Sequence, residues 1–329
     1  MKLALFSVSY SGMWYKGPAL SLREQIVKAK QMGFDGLSVE TKRPVASPLD
    51  LDRKERKEIA SMARSYGIEL CALEANNDFS SPIPEQRENN LLMVKSIIEM
   101  AHDMDVGLVK IFAAWPGVTM RNGIATYELA RKYFARQNDV TNLERWSWVV
   151  QAIKEAANVA HDCGIVLALQ NHPPVVRYGY EDTLDMVKEV RAENVKLCLD
   201  VPMFENQTDE YIKQAVEKCE GLIAHSHYGS WDFRPTENGA VLQLPSQTRG
   251  KIINYRAYIS ELARIQYDGF LAQEECAPVL VHHQIQGIEE VDRRVAAALK
   301  YMRGLTSEFG NDQESRSLNV EPAILHNRK

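Results

Sequence analysis

Residues 143–172 read LERWSWVVQAIKEAANVAHDCGIVLALQNH, and three segments of different character follow one another within them. From Leu143 to Asp162, the residues Trp146, Val149, Val150, Ile153, Ala157 and Ala160 recur at i, i+3, i+4 and i+7, the rhythm of a helix with one apolar face. Gly164 then stands where such a helix ends, because glycine enters the left-handed C′ conformation without a Cβ penalty. Ile165 to His172 follows as a short apolar run that turns polar at its end, Gln170-Asn171-His172. The unit is helix, glycine, strand and polar tip.

The same grammar runs outward in both directions. Gly33, Gly67, Gly107, Gly221 and Gly269 each close an amphipathic stretch ahead of an apolar run. With the first strand, the runs are Leu3–Tyr10, Phe34–Glu40, Ile68–Ala75, Leu108–Trp115, Ile165–His172, Val195–Pro202, Leu222–Tyr228 and Phe270–Cys276. The first helix also marks its own start, since Ser21-x-x-Glu24 has the spacing of a capping box. Eight strands alternating with helices permit a closed (β/α)8 barrel or an open doubly wound sheet. The count favours the α/β barrel, and the sequence contains neither a G-x-G-x-x-G fingerprint nor a P-loop. A barrel of this kind takes about 250 residues. The surplus is expected in loops after strands four (about 116–142) and seven (about 229–251), rising over the site, and in a polar tail. The expected division is a barrel over residues 1–304 and a tail over 305–329.

Composition narrows the function classes. The chain has 329 residues, 45% hydrophobic and 25% charged, with a net charge of −5. That is enough apolar material for a large core without disulfides. No long basic run offers a footprint for nucleic acid or an anionic membrane. Five cysteines, without a C-x-x-C pair, read as reduced and buried, so a cytoplasmic location is expected. The N-terminal apolar run reads as a strand rather than a signal peptide, and no stretch is long enough to span a membrane.

In a (β/α)8 barrel, chemistry gathers where strands end and βα loops begin. The last four strands end polar: Gln170-Asn171-His172, Asp200, His225-Ser226-His227 and Glu274-Glu275. Carboxylate, imidazole and amide oxygen together suit a divalent ion of intermediate hardness, Mn²⁺ foremost, with Co²⁺, Ni²⁺ or Zn²⁺ as alternatives. No thiolate is placed to bias the site toward a purely structural zinc. Strand alternation puts His225 and His227 on one face and Gln170 and His172 on one face, but separates Glu274 from Glu275. Taken singly, each residue has a plainer explanation: Asp200 as a helix cap, His225 as a core histidine, Glu275 as a supporting or solvated group. Four suitable tips on successive strands carry the metal reading. Glu40, Lys42, Arg43, Glu74 and Asp78 form a second tier at strands two and three. Candidate substrate contacts are Lys110 and Trp115 at strand four, His225, and Arg234 in the loop after strand seven. Aromatic residues in the front loops, among them Trp14, Trp115, Tyr178 and Trp231, suit stacking on sugar or aryl rings.

These tips resemble those of the xylose-isomerase-like TIM barrels, the sugar phosphate isomerase/epimerase superfamily, over residues 1 to about 304. The resemblance implies a metal held by strands five to eight, which maps onto Gln170, Asp200, His227 and Glu274, with Gln170 where glutamate is usual. The strings KRPVASPLD (42–50), ANNDF (75–79), LQNH (169–172) and EECAP (274–278) are similar to those of a branch that includes the α subunits of C-glycoside deglycosidases. That branch implies a lyase on a 3-keto sugar, a smaller β subunit, an oligomeric assembly and a histidine base at His172. The alternative outcome of the same proton abstraction is an isomerase or epimerase. A metal-dependent phosphodiesterase fits poorly with the net acidity, and a catalytically silent partner subunit is the third reading.

Overall fold

The computed structural model describes residues 1–128, 132, 140–236, 240–245 and 250–317. Eight parallel strands close into a barrel. In chain order they are β1 (Lys2–Phe6), β2 (Gly36–Glu40), β3 (Glu69–Glu74), β4 (Leu108–Ile111), β5 (Val166–Gln170), β6 (Val195–Cys198), β7 (Ile223–Gly229) and β8 (Phe270–Glu274). Closure joins β8 to β1 through the register Lys2↔Phe270 to Leu5↔Gln273. The described helices are α1 (Leu22–Met32), α2 (Arg53–Ser65), α3 (Pro84–Asp103), α4 (Asn142–Asp162), α5 (Glu181–Val190), α6 (Asp209–Lys218), α7 (Tyr255–Arg264) and α8 (Ile288–Ser317). All eight expected runs are strands, most of them shorter at the end than the apolar pattern suggests. After β1, for example, Ser7–Tyr10 winds into a 3₁₀ turn.

Period-2 alternation sorts each strand between two environments. Leu3, Leu5, Leu37, Leu73, Val109, Leu167, Leu169 and Leu197 are fully buried, and they point outward to the helices. The inward positions low in the barrel carry small or single bulky residues: Ala4, Ala72, Ala168 and Ala272, with the Phe270 ring. Gly36 leaves room for that ring, since a Cβ there would lie 2.6 Å from it and 2.8 Å from the Glu69 carbonyl oxygen. Apolar packing plugs the bottom, so polar side chains collect at the top.

Local signals place the helices. Capping boxes start α1 at Ser21/Glu24, as expected, and also α2 at Asp52/Glu55 and α4 at Thr141/Glu144. Gly33, Gly67, Gly164 and Gly221 take the expected positive φ. Gly107 and Gly269 do not; Asp105 (φ 57°) and Gln266 (φ 56°) make those turns instead. The left-handed position directly follows the helix cap, and both glycines lie beyond it.

The mouth is roofed by three loops. Ala125 N–H donates to Met13 O (2.7 Å), Val279 N–H to Trp14 O (2.8 Å) and Lys16 N–H to Gln286 O (2.7 Å). These bonds tie the loop after β1 to a hairpin after β4 (Thr119–Arg121, Ile124–Thr126) and to one after β8 (Leu280–Val281, Gln284–Ile285). The described part of the β4 loop is thereby joined to the β1 loop, and the β1 loop in turn to the β8 hairpin. The β7 loop differs. Its hairpin, Phe233–Pro235 with Val241–Gln243, lies against α7 and α8 because buried Phe233 packs on Tyr255 and Tyr301 at 5.5 and 4.7 Å. The expected domain boundary at residue 304 falls inside α8, which continues with Leu305 buried; residues 318–329 lie outside those described.

Candidate active site

Each polar tip reaches the mouth because it occupies an inward position at the end of its strand. Gln170, Asp200, His227 and Glu274 are all at least nine-tenths buried. Asp200 is their hinge. Its Oδ2 accepts from Gln170 Nε2 at 2.6 Å and lies 3.0 Å from His227 Nδ1, while its Oδ1 accepts the His227 backbone N–H at 2.6 Å. Asn171 orients this residue from the neighbouring strand, its Oδ1 accepting from the Asp200 amide at 2.8 Å. The His227 ring stacks on Phe6 with centroids 5.3 Å apart.

Two residues join the group from outside the expected ligand set. Glu74, at the end of β3, places Oε1 3.1 Å from His227 Nε2 and 3.2 Å from His225 Nε2, and accepts from the Ser38 hydroxyl. Lys110 Nζ stands 3.2 Å from Glu74 Oε2. The Lys110 and His225 contacts are close enough for ion pairing but lack hydrogen-bond geometry, so Glu74 Oε2 and His225 Nε2 have no hydrogen bond. Cys198 adds a thiol to the group, 3.5 Å from both Asp200 Oδ1 and His227 Nδ1. The sequence signal for Glu74 was the same apolar-to-polar switch, in Leu73-Glu74, that marks strands five to eight. Cys198 was legible from alternation, two residues before Asp200 and on its face.

Burial sets the electrostatics. Burial opposes ionisation of Glu74, but the neighbouring His227 and Lys110 charges outweigh it and hold the carboxyl well below the usual range. For His227, burial favours the neutral ring, yet Cys198, Asp200 and Glu74 together drive its pKa well above the ordinary histidine value. His225 goes the other way, lowered by burial. Glu274 is pushed up to about 7, chiefly by burial, with Asp200 adding to the rise.

These residues fit a divalent ion. Ligand atoms of Cys198, Asp200 and His227 lie within 4.8 Å of one another, as do those of Glu74, His225 and His227. Gln170 Oε1 is buried with no hydrogen-bond partner, and a half-turn of the amide exchanges it with the nitrogen that faces Asp200 and His227. Buried carboxylates need a counter-charge or donors, and the donor set is the mixed oxygen and nitrogen kind that such ions take.

The other expected residues are dispersed around this centre. His172 is half-buried, edge-on to Phe112 (5.3 Å) and Trp115 (5.0 Å), with Nδ1 against the Pro173 carbonyl oxygen. That acceptor favours the Nδ1–H tautomer and makes Nε2 the basic nitrogen. Trp115 stacks on Phe112 at 5.2 Å and meets Tyr127 at 5.7 Å, forming an aromatic wall. Lys110 lies buried beneath it, Nζ 3.6 Å from the Phe112 ring centroid. His225 sits one inward position below His227, away from the opening. Arg234 is exposed, opposite Leu242 in the β7-loop hairpin. Glu275 faces away from Glu274 as alternation requires, but it is buried rather than solvated. Among the second-tier residues, Glu40 is buried and paired with Lys42 at 2.9 Å, whereas Arg43 pairs with Asp50 in an exposed loop.

Known proteins share both sequence and shape with this chain. It is 24% identical over 241 residues to D-psicose 3-epimerase of Ruminiclostridium cellulolyticum, covering 70% of this chain and 74% of that protein. A crystal structure of D-psicose 3-epimerase with D-tagatose from Clostridium cellulolyticum H10 superposes with a TM-score of 0.68 at 20% identity, over 93% of this chain and 99% of that one. L-ribulose 3-epimerase gives 0.68 at 15% identity, over 98% and 99%. A 3-keto-D-glucoside 4-epimerase from E. coli gives 0.64 at 16% identity, over 92% and 99%. Likeness at such identities speaks for the fold. No described helix is long and apolar enough to cross a membrane. Residues 26–303 match the family model, and the chain belongs to the xylose isomerase-like TIM barrels.

Proposed function

We propose that the chain is a divalent-metal-dependent epimerase or isomerase that moves a proton at the carbon next to the carbonyl of a keto sugar. The observation that supports it is the buried, hydrogen-bonded set Gln170, Asp200 and His227, with buried Glu274 on the adjacent strand β8, at the top of a barrel related to sugar epimerases. Gln170, Asp200, His227 and Glu274 would hold the ion, Mn²⁺ being the first expectation. A bound divalent ion supplies Lewis acidity to the carbonyl oxygen. The other steps belong to side chains. His172, on β5's extension, accepts the proton through Nε2. Inversion at carbon requires a proton delivered to the opposite face. Glu274 stands on β8, three strands away round the ring, and is the buried carboxyl placed to relay a proton from that side. The neutral amide at Gln170 withholds one negative charge from the centre, which strengthens the pull on the substrate oxygen. The roof of loops keeps bulk water off the reacting carbon.

The sequence strings suggested a C-glycoside lyase first; the epimerase relatives favour the alternative. The aromatic wall of Phe112, Trp115 and Tyr127 keeps the lyase as a second reading, because an aryl aglycone would stack there. Only that reading calls for the smaller β subunit. Incubation with ketohexoses and with 3-keto glycosides in D₂O separates the two. The proposal expects metal-dependent deuterium at the carbon α to the carbonyl and formation of an epimer or an isomeric ketose or aldose. Release of free aglycone from a 3-keto C-glycoside without epimer would replace it by the lyase.

A further inference from the structure

Glu74 has no part in the proposed ligand set or in the proton transfers, although it meets His225, His227, Ser38 and Lys110. Glu74 lies on β3, nearly opposite the ligand strands in the ring β1-β8-β7-β6-β5-β4-β3-β2, and its Oε1 is 3.1 Å from His227 Nε2. The other nitrogen of the same ring faces Asp200 at 3.0 Å and Gln170 at 3.4 Å. An imidazole that binds a metal through one nitrogen must carry its proton on the other, and a carboxylate accepting that proton fixes both tautomer and ring angle. Glu74 is itself fixed. The Ser38 hydroxyl donates to Oε1, Lys110 Nζ holds Oε2 at 3.2 Å, and the register Glu74↔Lys110 anchors both on adjacent strands.

We propose that Glu74 is the positioning residue of the centre: it accepts the Nε2 proton of His227, aims Nδ1 at the ion, and supplies through that ring the carboxylate that Gln170 lacks. The placement explains a coincidence of this sequence, a neutral amide on β5 together with a buried acid on β3 outside the proposed ligand set. A carboxylate behind the ring makes Nδ1 a stronger donor, so part of the charge missing at β5 returns through His227. This inference rests on the metal reading above.

The test is titration of Mn²⁺ into metal-stripped wild type and Glu74→Gln, paired with the proton NMR spectrum of the Co²⁺ forms. The amide keeps size and burial but accepts the ring proton less strongly. The expected result is a 10- to 100-fold weaker Mn²⁺ affinity, about the range for such partners. The shifted exchangeable ring N–H signal of His227, present in wild type, is expected to move or exchange away in the variant. If Glu74→Gln does not fold, Glu74→Asp, which keeps the charge and shortens the reach, must weaken binding in lesser degree. Unchanged affinity and an unchanged ring N–H signal would overturn the inference while leaving the metal centre intact. Failure of wild type to bind Mn²⁺, Co²⁺, Ni²⁺ or Zn²⁺ would overturn the metal reading, and this inference with it.

Discussion

Glu274 and Glu275 are neighbours in sequence, both buried, and both raised by that burial to about 7, yet they belong to two different clusters. Glu275 turns outward to α8. Its Oε2 accepts from Ser230 at 2.5 Å, its Oε1 lies 3.4 Å from Arg294 Nη1, and its amide donates to Ser9. Arg294 also reaches Glu290 at 3.1 Å and the Leu280 carbonyl at 2.7 Å. Every carboxylate oxygen of Glu275 has a donor or cation, and the assembly ties the β8 hairpin to the last helix. Glu274 turns inward to a group where acceptors outnumber donors and where atoms of Gln170, Glu74 and His225 are left without hydrogen bonds. Burial of charge is common to both and so does not mark function. The inner cluster differs in gathering oxygen and nitrogen atoms of several strands at one point, among them a buried Gln170 Oε1 without a hydrogen bond, the arrangement a divalent ion would use.

The largest effect should come from Asp200→Asn. It removes the carboxylate shared by Gln170 and His227, and turnover in the D₂O assay should fall at least about 1,000-fold, with metal binding weakened more than about 100-fold. Retained binding would dissolve the contrast, because the inner cluster would then be as structural as the outer one. His172→Gln should lower exchange by about 100- to 10,000-fold, the usual value of a general base. Metal affinity should stay near wild type, which separates base from ligand.

Arg294→Ala attacks the outer cluster. Leaving Glu275 without its cation should cost about 3–5 kcal/mol of unfolding free energy in a denaturant titration. Metal stoichiometry should stay unchanged. A loss of metal in this variant would show the two clusters to be one unit.

The smallest effect concerns pH. Asp232, in the β7 loop, is raised to about 7 by burial, with one oxygen accepting from Tyr255 at 3.1 Å. A carboxylate raised on folding binds its proton more tightly in the native state. It costs nothing below the unfolded pKa near 4, and an increasing amount as pH climbs to about 7. Asp232→Asn should therefore match wild type near pH 4 in thermal melts and exceed it at pH 8, by at most about 4 kcal/mol. A variant less stable than wild type at pH 8 would mean that Asp232 is ionised and paired there.

The barrel was legible because helical and strand periods alternate eight times and glycines punctuate them. The inward face of each strand followed from alternation, which separated Glu274 from Glu275 and grouped His225 with His227. What escaped came from contacts across the ring. Nothing in residues 69–75 says that β3 faces β7, so Glu74 looked like one more loop charge. A lone cysteine in an apolar strand ordinarily signals packing, so Cys198 by residue type carries no mark of the site in the sequence. Phe233 is drawn to the helices by apolar burial, and nothing in the local pattern of residues 229–251 reveals that packing.

The most direct test of the metal centre is a crystal grown with Mn²⁺ and measured for anomalous scattering. One strong peak is expected, enclosed by Gln170, Asp200, His227 and Glu274, with Glu74 behind His227 and not in contact with the ion. A crystal with no peak in the mouth, or with a peak held instead by Glu74 and His225, would contradict it.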